Sequence, residues 1–406
     1  MTTPLENKTI LLGVTGSIAA YKAADLASKL TQSGARVDVI LTAAALQFIT
    51  PLTFQSVTGR RAYVDADLWG QTGHIQHIGL AKDAALVAIA PASANTLAKL
   101  AHGLADNLVS LAALAARCPL LVAPAMDGGM FAHPATQANL EILRQRGVSI
   151  IGPAEGHLAS GMSGAGRMVE PAELLGHIRL RLARDGPLAG KRLVVTAGGT
   201  QEPIDPVRTI TNRSSGKQGF ALAQAGLDRG AEVTLITGPV PLSTPVGARR
   251  VDVNTADEML QAVLSAVPQA DALLMAAAVA DFRPQSAAGD KLKRDQGIPT
   301  IRLTATPDIL AAVAEYKSSH GFPFITVGFA AESRDLLANA QTKLDRKKLD
   351  LIVANDISAQ DAGFAVDNNR VVLLEASGRQ ESLPLMSKAE VAERVLERVV
   401  ALYEDG

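Results

Sequence analysis

Short runs of β-branched and leucine residues alternate with longer alanine-rich stretches along the whole chain. In the first half the apolar runs fall at Thr9–Thr15, Arg36–Thr42, Leu86–Ala90, Leu120–Ala123 and Val148–Ile151. Helical patterns at Ser17–Ser33, Ala94–Ala101, Leu108–Ala116 and Thr136–Arg146 separate them, and another follows at Pro171–Arg184. Strands apolar throughout, spaced by helices, predict a parallel sheet covered on both faces. The rhythm breaks at Gly152–Met168, a glycine- and serine-rich stretch without apolar periodicity, which reads as a substrate-covering flap. Asp185-Gly-Pro-Leu-Ala-Gly190 is a turn-rich joint. Beyond it the layout restarts, with strands at Lys191–Thr196, Val233–Thr237, Ala272–Ala277, Phe324–Gly328 and Leu349–Ala354. The architecture expected is α/β: two doubly wound domains, residues 1–188 and 189–406.

Composition narrows the class. Of 406 residues, 48% are hydrophobic and 19% charged, which excludes a disordered chain. The net charge of −1 offers no basic field for nucleic acid or an anionic membrane. One cysteine, Cys118, allows neither an intrachain disulfide nor a cysteine metal cluster. The most apolar stretch, Leu108–Met126, carries Arg117, Pro119 and Pro124, so it reads as a buried helix followed by a strand. The first residues lack a basic leader with an apolar core, and a cytoplasmic protein is expected.

Candidate chemistry in the first half begins at Gly13-Val-Thr-Gly-Ser-Ile-Ala-Ala-Tyr-Lys22, a strand-to-helix turn. Gly16 permits a tight turn, and Ser17 with free helix-start N–H groups suits a phosphate; a glycine turn with a serine cap explains the same residues. The dinucleotide pattern G-x-G-x-x-G is absent. Further along come His77-Ile-Gly-Leu-Ala-Lys82, Ala90-Pro-Ala-Ser-Ala-Asn-Thr96, Gly103-Leu-Ala-Asp-Asn-Leu108, Ala123-Pro-Ala-Met126 and Gly161-Met-Ser-Gly-Ala-Gly-Arg-Met168. In this order they resemble the flavin-dependent cysteine decarboxylases, which bind FMN in a flavodoxin-like fold. The resemblance implies His77 as catalytic base, and places Gly16, Ser17, Thr42, Ser93, Asn95, Asp106, Asn107 and Met126 around the flavin. Asp127 and Arg167 are expected on the substrate. Asp127 stands where the family often has asparagine, and Ser160 stands where its flap commonly has a proton-donating cysteine. A serine hydroxyl is a far weaker acid than a thiol. A cysteinyl carboxylate has no electron sink for the pair released with CO₂, and oxidation of the thiol-bearing carbon creates one, which is why a flavin is required.

The second half opens on Thr196-Ala-Gly-Gly-Thr-Gln-Glu-Pro-Ile-Asp-Pro-Val-Arg208, followed by Thr-Ile-Thr-Asn212-Arg-Ser-Ser-Gly-Lys-Gln-Gly219. Its glycine loop follows a strand, and Ser214–Gly219 is expected to open a helix; both present N–H groups to phosphate. Arg208, Asn212 and Lys217 favour an anionic ligand, and no P-loop pattern exists. With Ala276-Ala-Ala-Val-Ala-Asp-Phe282, Lys291-Leu-Lys293, Thr306-Pro-Asp-Ile309, Gly328-Phe-Ala-Ala-Glu332, Lys343-x-x-x-Lys347 and Ala354-Asn-Asp356, this half resembles phosphopantothenate–cysteine ligases. The whole chain is similar to the bifunctional enzymes of coenzyme A biosynthesis. That resemblance implies condensation of 4′-phosphopantothenate with cysteine through an acyl cytidylate, with CTP as co-substrate and Mg²⁺. Decarboxylation to 4′-phosphopantetheine follows. It implies Asn212 in turnover of the acyl cytidylate and Lys291 in its formation. Arg208 falls to the substrate, and Ala276, Ala277, Asp281, Lys291, Thr306, Pro307, Asp308, Ile309, Phe329, Lys343 and Lys347 to CTP. Homo-oligomers of decarboxylase trimers and ligase dimers, up to a dodecamer, are also implied. The alternative is an active ligase fused to an altered, non-catalytic flavoprotein-like half.

Overall fold

Residue alternation inside one strand builds two apolar layers at once. In β1 (Thr9–Val14), Ile10, Leu12 and Val14 enter one buried cluster and Leu11 enters the other. The computed structural model describes residues 3–69, 76–159, 161–293, 299–332, 336–356 and 368–404. The chain divides into two compact units, with the break between Ala183 and Arg184.

In the first unit β1 is followed by α1 (Ala20–Gln32), β2 (Arg36–Leu41), α2 (Pro51–Thr58), β3 (Ala62–Val64) and α3 (Gln76–Asp83). Then come β4 (Leu86–Ala92), α4 (Ala94–His102), α5 (Leu108–Ala115), β5 (Leu120–Pro124), α6 (Gly128–Ala132), α7 (Pro134–Gln145) and β6 (Ser149–Ile150). A hairpin of β7 (Ala154–His157) and β8 (Ser163–Arg167) precedes α8 (Pro171–Leu182). The sheet is parallel, in the order β3-β2-β1-β4-β5-β6. Without the three-residue edge strand β3 this is the flavodoxin order, with its switch point between β1 and β4. One core cluster holds Leu26 and Leu30 of α1, Phe54 of α2 and Leu174 and Ile178 of α8; the opposite one holds Leu80, Leu97, Val109 and Leu140.

The second unit contains β9 (Arg192–Ala197), β10 (Gln201–Pro203), β11 (Thr209–Thr211), α9 (Lys217–Leu227), β12 (Glu232–Thr237), β13 (Arg249–Asp252) and α10 (Ala256–Ala266). It continues with β14 (Ala272–Met275), β15 (Phe282–Pro284), β16 (Leu303–Ala305), α11 (Ile309–His320), β17 (Ile325–Glu332), α12 (Leu336–Lys347) and β18 (Leu351–Asp356). β19 (Asn368–Asn369), β20 (Val371–Glu375), β21 (Gln380–Ser382), β22 (Met386–Ser387) and α13 (Lys388–Glu404) complete it. The main sheet runs β13-β12-β9-β14-β17-β18-β20-β21, parallel as far as β18 and antiparallel beyond. Its parallel part repeats the first unit's strand order.

The doubly wound expectation is met in both units. Within the stretch read as a flap, for which the sequence offers no strand signal, Ala154–His157 and Ser163–Arg167 pair as antiparallel strands. Glycine at alternate positions supplies backbone for such a ladder but no apolar signal. Leu108–Met126 forms a helix and then a strand, and among the described residues no helix is long and apolar enough to cross a membrane.

Candidate active sites

Both candidate sites lie at the C-terminal edge of a parallel sheet, where helices begin and their N–H groups point outward. In the first unit the turn after β1 comes so close to the chain after β2 that a Cβ on Gly16 would stand 2.6 Å from that of Ala44. Ser17 Oγ accepts from the Ala19 amide at 3.2 Å, while the Gly16, Ser17 and Ile18 amides donate to no group among the described residues. Thr15 Oγ1 donates to the Pro91 carbonyl at 2.7 Å and accepts from the Ser93 amide at 2.9 Å, joining the β1 and β4 turns. Thr42 is buried, and its amide donates to Val14.

Several residues expected on the flavin also hold helix starts. Ser93 caps α4, accepting from Thr96 N–H at 3.3 Å. Asn107 and Ser110 form a reciprocal capping box on α5. Asp127 Oδ1 caps α6 by accepting from Gly129 N–H at 2.9 Å. Asp106 is exposed, and its hydrogen bond to Lys99 lowers its carboxyl pKa from the usual range. Asn95 is exposed in the first turn of α4. Met126 N–H donates to the Gly166 carbonyl at 3.0 Å, so the hairpin lies directly on the β5 turn. Nothing larger than glycine fits at 166: a Cβ there would meet the Met126 oxygen at 2.3 Å. Arg167 covers Gly156 and reaches toward Glu170 at 3.4 Å. His77 lies in the first turn of α3, partly exposed, with Nδ1 buried and unpartnered. No hydrogen bond joins it to the β1 and β4 turns. Ser160 lies outside the described residues.

One residue of the first motif has a role that sequence reasoning missed. Lys22 is buried on α1 and donates to the Met168 carbonyl at 2.9 Å and to Glu170 at 2.7 Å. It anchors the C-terminal root of the hairpin. A lysine at a core-facing helical position was the available signal.

The second unit encloses a cleft of about 610 Å³. Asn212, Ala276, Ala277, Asp281, Thr306, Pro307, Asp308, Ile309, Phe329, Lys343 and Lys347 all line it. Glycines make the wall. Gly216 begins α9 with φ +73°, and a Cβ on Gly219 would lie 2.5 Å from the Ala197 Cβ and 2.7 Å from the Thr196 oxygen. Asn212 Nδ2 donates to the Val279 carbonyl at 3.0 Å, which leaves its Oδ1 as the acceptor. Thr306 Oγ1 donates to Ala280 at 2.6 Å. Asp308 caps α11 through Ala311 N–H and pairs with Lys347, whose ammonium burial pushes below the ordinary lysine range. Lys343 donates to the Phe329 carbonyl at 2.8 Å.

Lys291 and Arg208 sit apart from the lining groups. Asp205, with no side-chain exposure, accepts from Arg208 and from the amides of Val207, Arg208 and Leu292. The Arg208 guanidinium also donates to the Leu292 carbonyl at 2.8 Å. The Asp205–Arg208 pair therefore fastens the exposed Lys291 segment to the loop after β10. The Arg208 hydrogen bond, aided by the backbone amides, holds the Asp205 carboxyl well below the usual range. Arg346, Asn355, Asn369 and Lys388 also line the cleft without having been singled out as functional residues from the sequence. Among the described residues no group of three or more His, Cys, Asp or Glu could hold a metal ion.

Two doubly wound α/β units, each with glycine-rich turns at the carboxyl edge of its sheet, define a fused two-domain α/β protein. The family described as Flavoprotein matches residues 1–183, and the DNA/pantothenate metabolism flavoprotein C-terminal domain matches residues 188–403. The coenzyme A biosynthesis bifunctional protein CoaBC of Vibrio cholerae is 46% identical over 397 residues, covering 97% of this chain and 98% of that protein. The Bacillus subtilis CoaBC is 44% identical over 401 residues, covering 98% of each. A crystal structure of a CoaBC C-terminal domain has 37% identity and a TM-score of 0.47, covering 54% of this chain and all of that one. The chain belongs to the CoaBC family of bifunctional coenzyme A biosynthesis proteins.

Proposed function

We propose that the second unit condenses 4′-phosphopantothenate with cysteine at the expense of CTP, and that the first decarboxylates the product with FMN to give 4′-phosphopantetheine. Full-length similarity to CoaBC proteins supports both activities. The observation that carries the ligase reading is one cleft lined by residues from eight separated segments, two of them contributing Lys217, Lys343 and Lys347. Carboxylate attack at the α-phosphate needs charge neutralisation around pyrophosphate, and lysines with helix-start amides supply it. Mg²⁺ carried with the triphosphate would add to that neutralisation. Lys291 acts during activation, positioned by the Asp205–Arg208 anchor. Asn212, with Nδ2 held by backbone carbonyls, acts afterwards by offering Oδ1 to the incoming amine.

The first unit fits FMN. Three donor amides at Gly16–Ile18 match a phosphate, and the Thr15–Ser93 bridge fixes the two turns on either side of the switch point. Bound there, FMN supplies reversible two-electron chemistry. This chain's residues then orient the substrate and move protons: His77 as base, with its unpartnered Nδ1, and the β7–β8 hairpin as cover over Met126. Asp127, already capping α6, remains the acidic neighbour of the substrate carboxylate. Exposed Tyr21, Phe48, Leu52 and Leu114 on the first unit support assembly into homo-oligomers. Purified protein carrying a yellow FMN spectrum and turning over phosphopantothenate, cysteine and Mg·CTP to a decarboxylated product supports the reading. CTP replaced equally well by ATP overturns the cytidine assignment.

A further inference from the structure

The cleft of the second unit keeps two buried amide oxygens without a partner: Oδ1 of Asn355, at the end of β18, and Oδ1 of Asn369, in β19. For Asn369, which is 5% exposed, the neighbours fix which atom is left over. β19 pairs with β22, Asn369 standing opposite Met386, and α13 begins two residues later at Lys388. Gln218, in the first turn of α9, closes this corner of the cleft. Its Nε2 donates at 3.2 Å to the Lys388 carbonyl, an oxygen that only accepts, so its Oε1 turns to Asn369. Asn369 Nδ2 donates to that Oε1 at 3.2 Å, and Asn369 Oδ1 remains an acceptor without a donor.

Two features of the corner describe what completes it. The first-turn amides of α9, following Gly216 at φ +73°, have no intrahelical acceptor and suit a phosphate. Asn369 does not serve that phosphate: its Nδ2 is turned to Gln218, and its remaining atom accepts, as phosphate oxygens do. A buried acceptor is costly to leave unmade, so this one calls for an O–H or N–H of the ligand. The donor must lie within a glutamine side chain's reach of the phosphate. In a nucleotide the ribose hydroxyls stand a few bonds from the α-phosphate, whereas the amino group of the base lies at the far end.

Resting on the ligase reading, we propose that Asn369 reads the sugar of CTP: with the phosphates on the first turn of α9, its Oδ1 accepts from a ribose hydroxyl. Gln218 is the positioning residue that keeps the amide turned as an acceptor. The contact selects a ribonucleotide over its deoxy counterparts and moves no proton. Phosphopantothenate also carries a hydroxyl near a phosphate. CTP is favoured because its other proposed contacts, from Asp281 to Lys347, line the same cleft, while Arg208, proposed for phosphopantothenate, lies outside the lining.

The test uses the full-length protein and follows steady-state pyrophosphate release with phosphopantothenate, cysteine, Mg²⁺ and one of CTP, 2′-deoxy-CTP or 3′-deoxy-CTP. The parent is expected to use at least one deoxynucleotide with a kcat/KM about 10- to 100-fold below that for CTP. Asn369→Ala is expected to lose a similar factor with CTP and little with that deoxynucleotide, so that the preference disappears. Equal use of all three nucleotides by the parent overturns the proposal without any variant. An Asn369→Ala protein that loses the same factor with CTP and with the deoxynucleotide, keeping the preference, also overturns it. A raised KM for phosphopantothenate with the ribose preference intact overturns it as well, giving the acceptor to the pantoyl hydroxyl. A parent that releases no pyrophosphate with any of the three overturns the ligase reading itself.

Discussion

The two units share one strand order yet arm the same sheet edge differently. In the first, the edge carries serine, asparagine and aspartate caps at Ser93, Asn107 and Asp127, the amides of Gly16–Ile18 and His77 with an open nitrogen, and no lysine among the residues expected on the flavin. In the second, lysines and a capping aspartate converge on a cleft whose inner wall keeps two open amide oxygens. A redox cofactor carries its own chemistry and needs positioning, whereas phosphoryl activation needs charge placed by the protein. The fold thus fixes where each site lies, and the turn residues decide what it does.

The sharpest break of that comparison is His77→Asn. It should lower decarboxylation by ~10²–10⁴-fold while bound FMN and ligation persist. Product mass and flavin absorbance check this, and decarboxylation at the parental rate would return His77 to a structural role.

Lys347→Met probes the charge on the other side. Losing one charge-assisted contact of about 1.5–3 kcal/mol should raise the KM for CTP by roughly 10- to 100-fold, with decarboxylation of supplied phosphopantothenoylcysteine unaffected. An unchanged KM would leave the Lys347–Asp308 pair as packing only.

Gly219→Ala tests the shared geometry. Its Cβ would collide with the backbone of β9, and overpacking of this kind costs about 1–3 kcal/mol. Calorimetry should show the second unit unfolding at lower temperature and the first unchanged.

The smallest effect concerns Asp205. Because its pKa is lowered in the folded protein, its contribution is present above the ordinary carboxylate range and is lost only as pH falls below that range. Exchange of the Leu292 amide should therefore stay protected through mildly acidic pH, and Asp205→Asn should remove that protection at neutral pH and slow pyrophosphate release several-fold.

Much of this was legible in the sequence. The parallel strands announced themselves because both faces are buried, so Arg36–Thr42 and Leu120–Ala123 read as continuous apolar runs, close to β2 and β5. The edge strands β3 and β13 were missed: each is short and half-buried, without a strong apolar signal. The cleft residues were found by their motifs, whereas Asn355 passed as part of a motif and Asn369 went unnoted. Their open oxygens arise from long-range contacts, such as Gln218 with Asn369, that no local pattern encodes. Lys22 was quoted only as a motif letter, although its burial makes it the hairpin's anchor.

One chain is expected to perform ligation and then decarboxylation. Simultaneous measurement of pyrophosphate and CO₂ from the FMN-loaded, full-length protein given phosphopantothenate, cysteine and Mg·CTP tests it most directly. Pyrophosphate is expected first, with CO₂ following in equal amount and 4′-phosphopantetheine accumulating. Pyrophosphate and phosphopantothenoylcysteine accumulating without CO₂ would contradict it, leaving an active ligase fused to a flavoprotein half that binds but does not turn over.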